Sequence, residues 1–271
     1  MKFNKLITLA ASLTIALTGA LFVSQQDASA EVTKVTSTGN SISKLYTKDG
    51  DLITNRALAP KTNWLVDRIF THNDVTYYQV ATNEYLKSTS TTRLYDKSNP
   101  GFKYVPNVKR INEYFIKYLN VLHAANGTPA VSTSEEMFEY ANHRAYQQVG
   151  DTMDHSTRPR NTAENLYGFG FNFILKNGIY KGMTSDRDVA WYLIKGWYDD
   201  NNNASAGPGE IGHFGHRAEL IYTGTPAAIG MSDNSTSLSS EWTNDFNGYN
   251  SIYEYTGTNP NTNFISKDSV K

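Results

Sequence analysis

Ile111-Asn112-Glu113-Tyr114-Phe115-Ile116-Lys117-Tyr118-Leu119-Asn120-Val121-Leu122 is where the pattern of this chain changes period. Ile111, Tyr114, Phe115, Tyr118, Leu119 and Leu122 fall at i, i+3, i+4, i+7, i+8 and i+11, the spacing of an amphipathic helix. Asn126-Gly127 closes it, with Pro129 just beyond. Thr133-Ser134-Glu135-Glu136 matches a capping box, Thr133 as N-cap and Glu136 at N3. Phe138, Ala141, Ala145 and Val149 then line one face of a second helix. A third is expected from Asp186 to about Asp200, with Ser185 as N-cap and Ala190, Leu193, Ile194 and Trp197 inward. Residues 151–184 read mostly as loop, while Ala228-Ile229-Gly230-Met231 and Ile252-Tyr253-Glu254-Tyr255 read as strands. Helices first and most strands late argue for an α+β fold.

Upstream of this stretch the pattern is that of short strands. Lys44-Leu45-Tyr46 and Leu52-Ile53-Thr54 flank the turn signal Asp49-Gly50. Trp64-Leu65-Val66, Val75-Thr76-Tyr77-Tyr78-Gln79-Val80 and Tyr85-Leu86 follow, punctuated by Asn73-Asp74 and Thr82-Asn83. Five such strands suggest a small barrel or curled sheet. Residues 88–107, rich in Ser, Thr, Pro and Asn, read as a linker.

This first half resembles the S-layer protein A (SLAP) domain of lactobacilli. Leu45-Tyr46, Asp49-Gly50, Trp64, Tyr77-Tyr78-Gln79-Val80 and Asn83-Glu84-Tyr85-Leu86 carry the resemblance, over roughly 41–92. It implies non-covalent attachment to a cell-wall polymer. Net charge is +3 over 31–105 and −5 over 106–271, and the basic excess suits an anionic polymer.

Composition narrows the rest. The chain has 271 residues, 25 Lys plus Arg against 26 Asp plus Glu, and no cysteine. Such a balance gives no reason to expect nucleic acid as a partner. Without cysteine there is no disulfide scaffold, iron–sulfur cluster, Cys-ligated zinc or thiol nucleophile. At 39% hydrophobic and 13% aromatic residues, the chain is not of disordered type. Residues 1–30 read as a secretory signal: Lys2 and Lys5, the apolar or small-residue run Leu6 to Val23, then Ala28-Ser29-Ala30 as cleavage site. A mature chain would begin at Glu31 and be extracellular, at the cell surface or wall. No later segment is long and apolar enough to span a bilayer.

Among six histidines, His72, His123 and His143 read as solvated or locally bonded rings. The others stand in richer surroundings. His155 follows Met153-Asp154, and Glu164 lies nine residues on. His213 and His216 occupy Gly212-His213-Phe214-Gly215-His216-Arg217. Asp199-Asp200 end the third helix, where acids oppose the macrodipole, so something else must favour them. Two imidazoles with one or two carboxylates suit a divalent metal such as zinc, or equally general acid–base work. The chain lacks H-E-x-x-H, G-x-S-x-G, a P-loop and G-x-G-x-x-G after a strand.

Residues 111–256 resemble the CAP, or SCP, superfamily in its bacterial exported form. The landmarks are Leu119 to Gly127, Ala141 to Ala145, Asp154-His155-Ser156, Ala163-Glu164-Asn165-Leu166 and Trp197-Tyr198-Asp199-Asp200. Gly215-His216-Arg217-Ala218-Glu219-Leu220-Ile221 and Ile229-Gly230-Met231 complete the series. The resemblance implies an α-β-α sandwich with one open cleft, faced by His155, Glu164, Asp200 and His216. Asp200 stands where the family has Glu, one methylene longer. His213 is the rival to His216, and Glu210 is a spare acid in a Gly-Pro-rich loop. Ser156, beside His155, is not placed as a nucleophile.

The chain is therefore expected to be α+β, with a C-terminal CAP-like sandwich over 108–257 and a small all-β, barrel-like SLAP domain over 31–92. Residues 93–107 are its linker and 258–271 a tail. Two functions fit. One is a wall-tethered protein whose cleft binds a ligand or divalent metal through His155 and His216, with Glu164 and Asp200 nearby. The other is a metal-assisted hydrolase of peptidoglycan or peptide, with Glu164 as general base and His155 and His216 in its catalytic set.

Overall fold

Eight strands occupy the first half of the chain among the residues described by the computed structural model, which are 32–148, 153–201 and 203–271. The signal reading of 1–30 lies outside those residues. Strand β1 (Lys34–Thr38) pairs with β4 (Asn63–Val66) and with β8 (Thr91–Asp96). Strands β2 (Ser43–Tyr46), β3 (Leu52–Leu58), β5 (Ile69–His72), β6 (Val75–Ala81) and β7 (Glu84–Lys87) form a second sheet, ordered β3-β2-β7-β6-β5. Every pairing is antiparallel. Asn73 and Asp74 join β5 to β6 with φ of 47° and 60°, a turn open to residues that tolerate the left-handed region.

The expected strands all lie within this set, and β1, β5 and β8 were not foreseen. Strand β8 also corrects the reading of 93–107 as a linker. Leu94 and Asp96 are buried, and Asp96 accepts from Ser98 N at 2.8 Å. Phe102 is buried, Tyr104 Oη donates to Asp186 at 2.7 Å, and Asn107 caps the next helix. Leu94 and Asp96, two residues apart on one covered face of β8, outweigh a composition typical of linkers.

Helix α1 (Val108–Asn126) ends at Gly127, whose φ of 74° needs no Cβ. Helix α2 (Glu135–Gln147) is capped by Ser134, one residue later than expected, through a bond from Met137 N. The span 151–184, read mostly as loop, contains strand β9 (Ala163–Tyr167) and helix α3 (Phe171–Asn177). Helix α4 (Asp186–Asp199) starts at Ser185 as expected. Helix α5 (Gly215–Ile221) precedes β10 (Ala227–Met231) and β11 (Thr236–Ser240). Residues 252–255, expected as strand, instead close and follow helix α6 (Phe246–Tyr253), which begins at the N-cap Asp245. The aromatic, β-branched pair Ile252-Tyr253 misled because the start signal lies seven residues earlier.

This half mixes helices with an antiparallel sheet ordered β10-β11-β9. Register assigns its faces. Gly230, Ser239 and Glu164 share one face, and a Cβ on Gly230 would strike the Ala141–Asn142 backbone of α2. Leu238, Ile229 and Asn165 share the other, where Ser240 Oγ reaches Glu219 of α5. The outer edge of β10 is closed by side chains and backbone. Ala227 N donates to Ser132 O, Ile229 N to Asn112 Oδ1 and Met231 N to Asn142 Oδ1. Residues 258–271 pack back rather than trail: Val270 is buried and Tyr118 Oη donates to Lys267 O.

Thr33–Lys271 forms one compact unit. Val66, Ile69, Tyr78 and Leu94 of the β half share a core with Phe115, Ile174, Trp197 and Met231. Lys34 and Asp233 bridge the halves at 2.7 Å, and Ile69 N donates to the other oxygen of Asp233.

Candidate functional site

Glu164 is placed by β9 on the face covered by α2, and there Arg144 meets it. Arg144 Nε lies 2.6 Å from Oε2 and Nη2 lies 2.9 Å from Oε1, a bidentate pair with both side chains fully buried. The same guanidinium donates to Gln147 Oε1, Thr157 Oγ1 and the carbonyl of Asp154. It therefore ties the loop bearing His155 to the helix. His155 Nδ1 stands 3.0 Å from Glu164 Oε1, and its ring is 42% exposed. A carboxylate only accepts, so Nδ1 carries the proton and Nε2 is left without a protein hydrogen bond among the described residues. Burial pushes the Glu164 carboxyl up, but Arg144 and His155 together outweigh it and hold it below the ordinary range.

A second pair has the same form. His216 Nδ1 lies 2.6 Å from Asp200 Oδ1. Asp200 sits at the C-cap of α4 with φ 55° and is buried. Its Oδ2 accepts from the backbone N–H groups of His216 (3.0 Å) and Arg217 (3.3 Å), the first turn of α5. This is what favours an acid at the end of α4: it is also the anion at the start of α5. Asn165, next to Glu164 but on the opposite sheet face, donates to His216 O at 2.9 Å. One dipeptide of β9 thus anchors both histidine arrangements.

The rivals behave differently. His213 Nδ1 faces Ala206 O at 3.3 Å and its ring packs on Phe214, with no acid attached among the described residues. Glu210 accepts from Gly207 N and closes its own loop. His123 is buried between the carbonyls of Pro129 and Leu220, a locally bonded ring as expected. Ser156 donates its backbone N–H to Asp154 Oδ1.

His155, Glu164, Asp200 and His216 do not gather three ligand atoms around one point. Among the described residues the group that does is Asp74, Glu135 and Glu139, within 4.8 Å of one another. Lys109 pairs with Asp74 there, and His72 lies 3.5 Å from Glu139.

Three contributors, Arg144, Asn165 and Arg217, lie within the sequence landmarks, but their part in the site did not follow from them. Arg217 donates from Nε to Tyr198 O at 2.6 Å and stacks 4.3 Å above the Tyr198 ring, fastening α5 to α4. Arg144 had a signal. It lies three residues after Ala141, on the apolar side of its helix, where an arginine needs a buried partner. No protein-family model matches the chain, and no curated protein matches it.

Proposed function

We propose that this is an exported, wall-associated surface protein whose second half is a CAP-type α-β-α sandwich and whose cleft binds a divalent metal or small ligand without turnover. The observation that carries the cleft reading is the matched pair of His–carboxylate contacts. In each, Nδ1 is fixed by a buried acid and Nε2 is the atom left to bind. A carboxylate behind an imidazole fixes its tautomer and raises its basicity as a ligand. The donor set suits an ion such as zinc only in part, since two imidazoles fall short of the three protein ligands of a catalytic zinc site. An ion held there would supply a Lewis-acidic centre, with His155 and His216 as ligands and Glu164 and Asp200 behind them.

The hydrolase reading lacks comparable support. A general base needs a free oxygen and a pKa near working pH. Glu164 has both oxygens on Arg144, and its carboxyl is held below the ordinary range. Zinc titration calorimetry on the full chain tests the cleft. Heat is expected from wild type and from His213→Ala, with a loss of tenfold or more, about 1.4 kcal/mol, in His155→Ala and His216→Ala. No wild-type heat, or an equal loss from His213→Ala, removes the metal.

The first half is proposed as a SLAP-type, barrel-like wall anchor. Its basic groups lie over tyrosine rings: Lys87 is 4.2 Å from the Tyr46 centroid, and Arg68 and Lys48 are 4.1 Å and 4.9 Å from that of Tyr146. The full chain should sediment with purified wall fragments, less as salt rises, because exposed charges are screened. Replacing Lys48, Arg68 and Lys87 together by Gln should release most of it. Undiminished sedimentation of that variant overturns the anchor.

A further inference from the structure

We propose that Glu219 folds as a neutral acid donating its proton to Ser240, and that this bond is a pH-sensitive latch holding the His216-bearing helix on the sheet. Glu219 is 4% exposed, and Ser240 is the one hydrogen-bond partner of its carboxyl group among the described residues. Ser240 Oγ lies 3.0 Å from Glu219 Oε1 and 2.9 Å from Glu241 O. A hydroxyl has one proton. Given to the carbonyl, it leaves the contact with Glu219 to be made by a proton on the carboxyl.

Arg158 is the cationic group facing Glu219, but its guanidinium donates to Thr162 O at 2.6 Å rather than to the carboxyl, and burial outweighs its attraction. Tyr249 of α6 faces it from another side and adds no positive charge. Burial pushes the Glu219 carboxyl up to about 8. Helix α5 has seven residues, too few to persist alone. Expelling an ionised Glu219 to water pulls the turn after His216 off β11 and disturbs its contacts with Asp200 and Asn165.

The unfolded chain ionises Glu219 near 4.5, so folding takes up a proton between that pH and about 8. Stability from this group is full below the window, falls as pH rises through it, and is gone above it. Melting of the full chain and of Glu219→Gln between about pH 5 and 9 tests this. Relative to the Gln variant, wild type should lose about 3–5 °C per pH unit up to about pH 8 and no more beyond. Above that pH, amide exchange in 217–222 should run faster in wild type than in the variant. Parallel melting curves overturn the latch. Should Glu219→Gln not fold, infrared difference spectra of wild type decide. A protonated-carboxyl band lost around pH 8 supports the proposal, and a spectrum without one overturns it.

Discussion

Arg144→Ala should destabilise the protein by about 3–5 kcal/mol at neutral pH, the cost of leaving a buried charge without its partner. Glu164 would keep His155 alone, on a carboxyl group with no exposure of its own. The loop at Asp154–Thr157 would lose its two tethers to the same guanidinium. The penalty should depend on pH with a definite sign. In wild type the carboxyl is held below its ordinary value, so its contribution is present above about 4.5 and is lost as pH falls through the depressed value. In the variant only His155 opposes burial, and the carboxyl can shed its charge by taking a proton. The gap between the two proteins in urea should therefore narrow from pH 7 toward pH 4.5. Arg144→Met with Glu164→Leu should cost less than Arg144→Ala alone, because neither charge is then stranded. Arg144→Lys should fall between, since an ammonium cannot bridge both oxygens in one plane. A loss below about 1 kcal/mol in Arg144→Ala would mean that the pair is solvated.

Why that pair is harder to read in sequence than the histidines follows from how each signals. His155 and His216 stand in short, distinctive contexts, and their acids Glu164 and Asp200 were named from the same landmarks. Their pairing is one of two arrangements the sequence allows, beside a shared metal; nine and sixteen residues separate the partners, and only the fold closes those gaps. Helices α1 and α4 were legible because their apolar residues repeat with helical period and their caps are explicit. Strand β11 was not. Thr236-Ser237-Leu238-Ser239-Ser240 has Leu238 as its one apolar residue, yet every residue is buried. Its hydroxyls are satisfied locally: Ser237 with Ser239 at 2.9 Å, and Thr236 onto Phe169 O at 2.8 Å. Small polar side chains also let α2 approach closely over Gly230. A central strand chosen for closeness and hydrogen bonding carries no hydrophobic alternation to read.

Asp233→Ala should cost a comparable 3–5 kcal/mol or so, and its effect should reach both halves of the chain. Lys34 is 7% exposed and stands 2.7 Å from Asp233. Without the carboxylate, its ammonium keeps only the amide oxygen of Asn172 at 2.8 Å, and Ile69 N–H loses its acceptor. Ile69 and Val66 lie in the same core cluster as Met231 and Ile174, so damage at this joint is not confined to one side. Hydrogen exchange read separately on Val75–Ala81 and Asp186–Asp199 distinguishes the outcomes. A shared core predicts that both segments lose protection together and that denaturant unfolding stays a single transition. Loss of protection in Val75–Ala81 alone would show a β half that opens independently, as the linker reading of 93–107 had implied. The distinction bears on how wall attachment can be measured. Cutting the chain at Asn107 would bare Val66, Ile69, Tyr78 and Leu94 to water, an apolar surface prone to non-specific adhesion. Sedimentation of such a fragment would report stickiness as readily as recognition. The full chain, with substitutions at the exposed basic groups, is therefore the form in which a wall-binding surface on the β half can be told from an uncovered core.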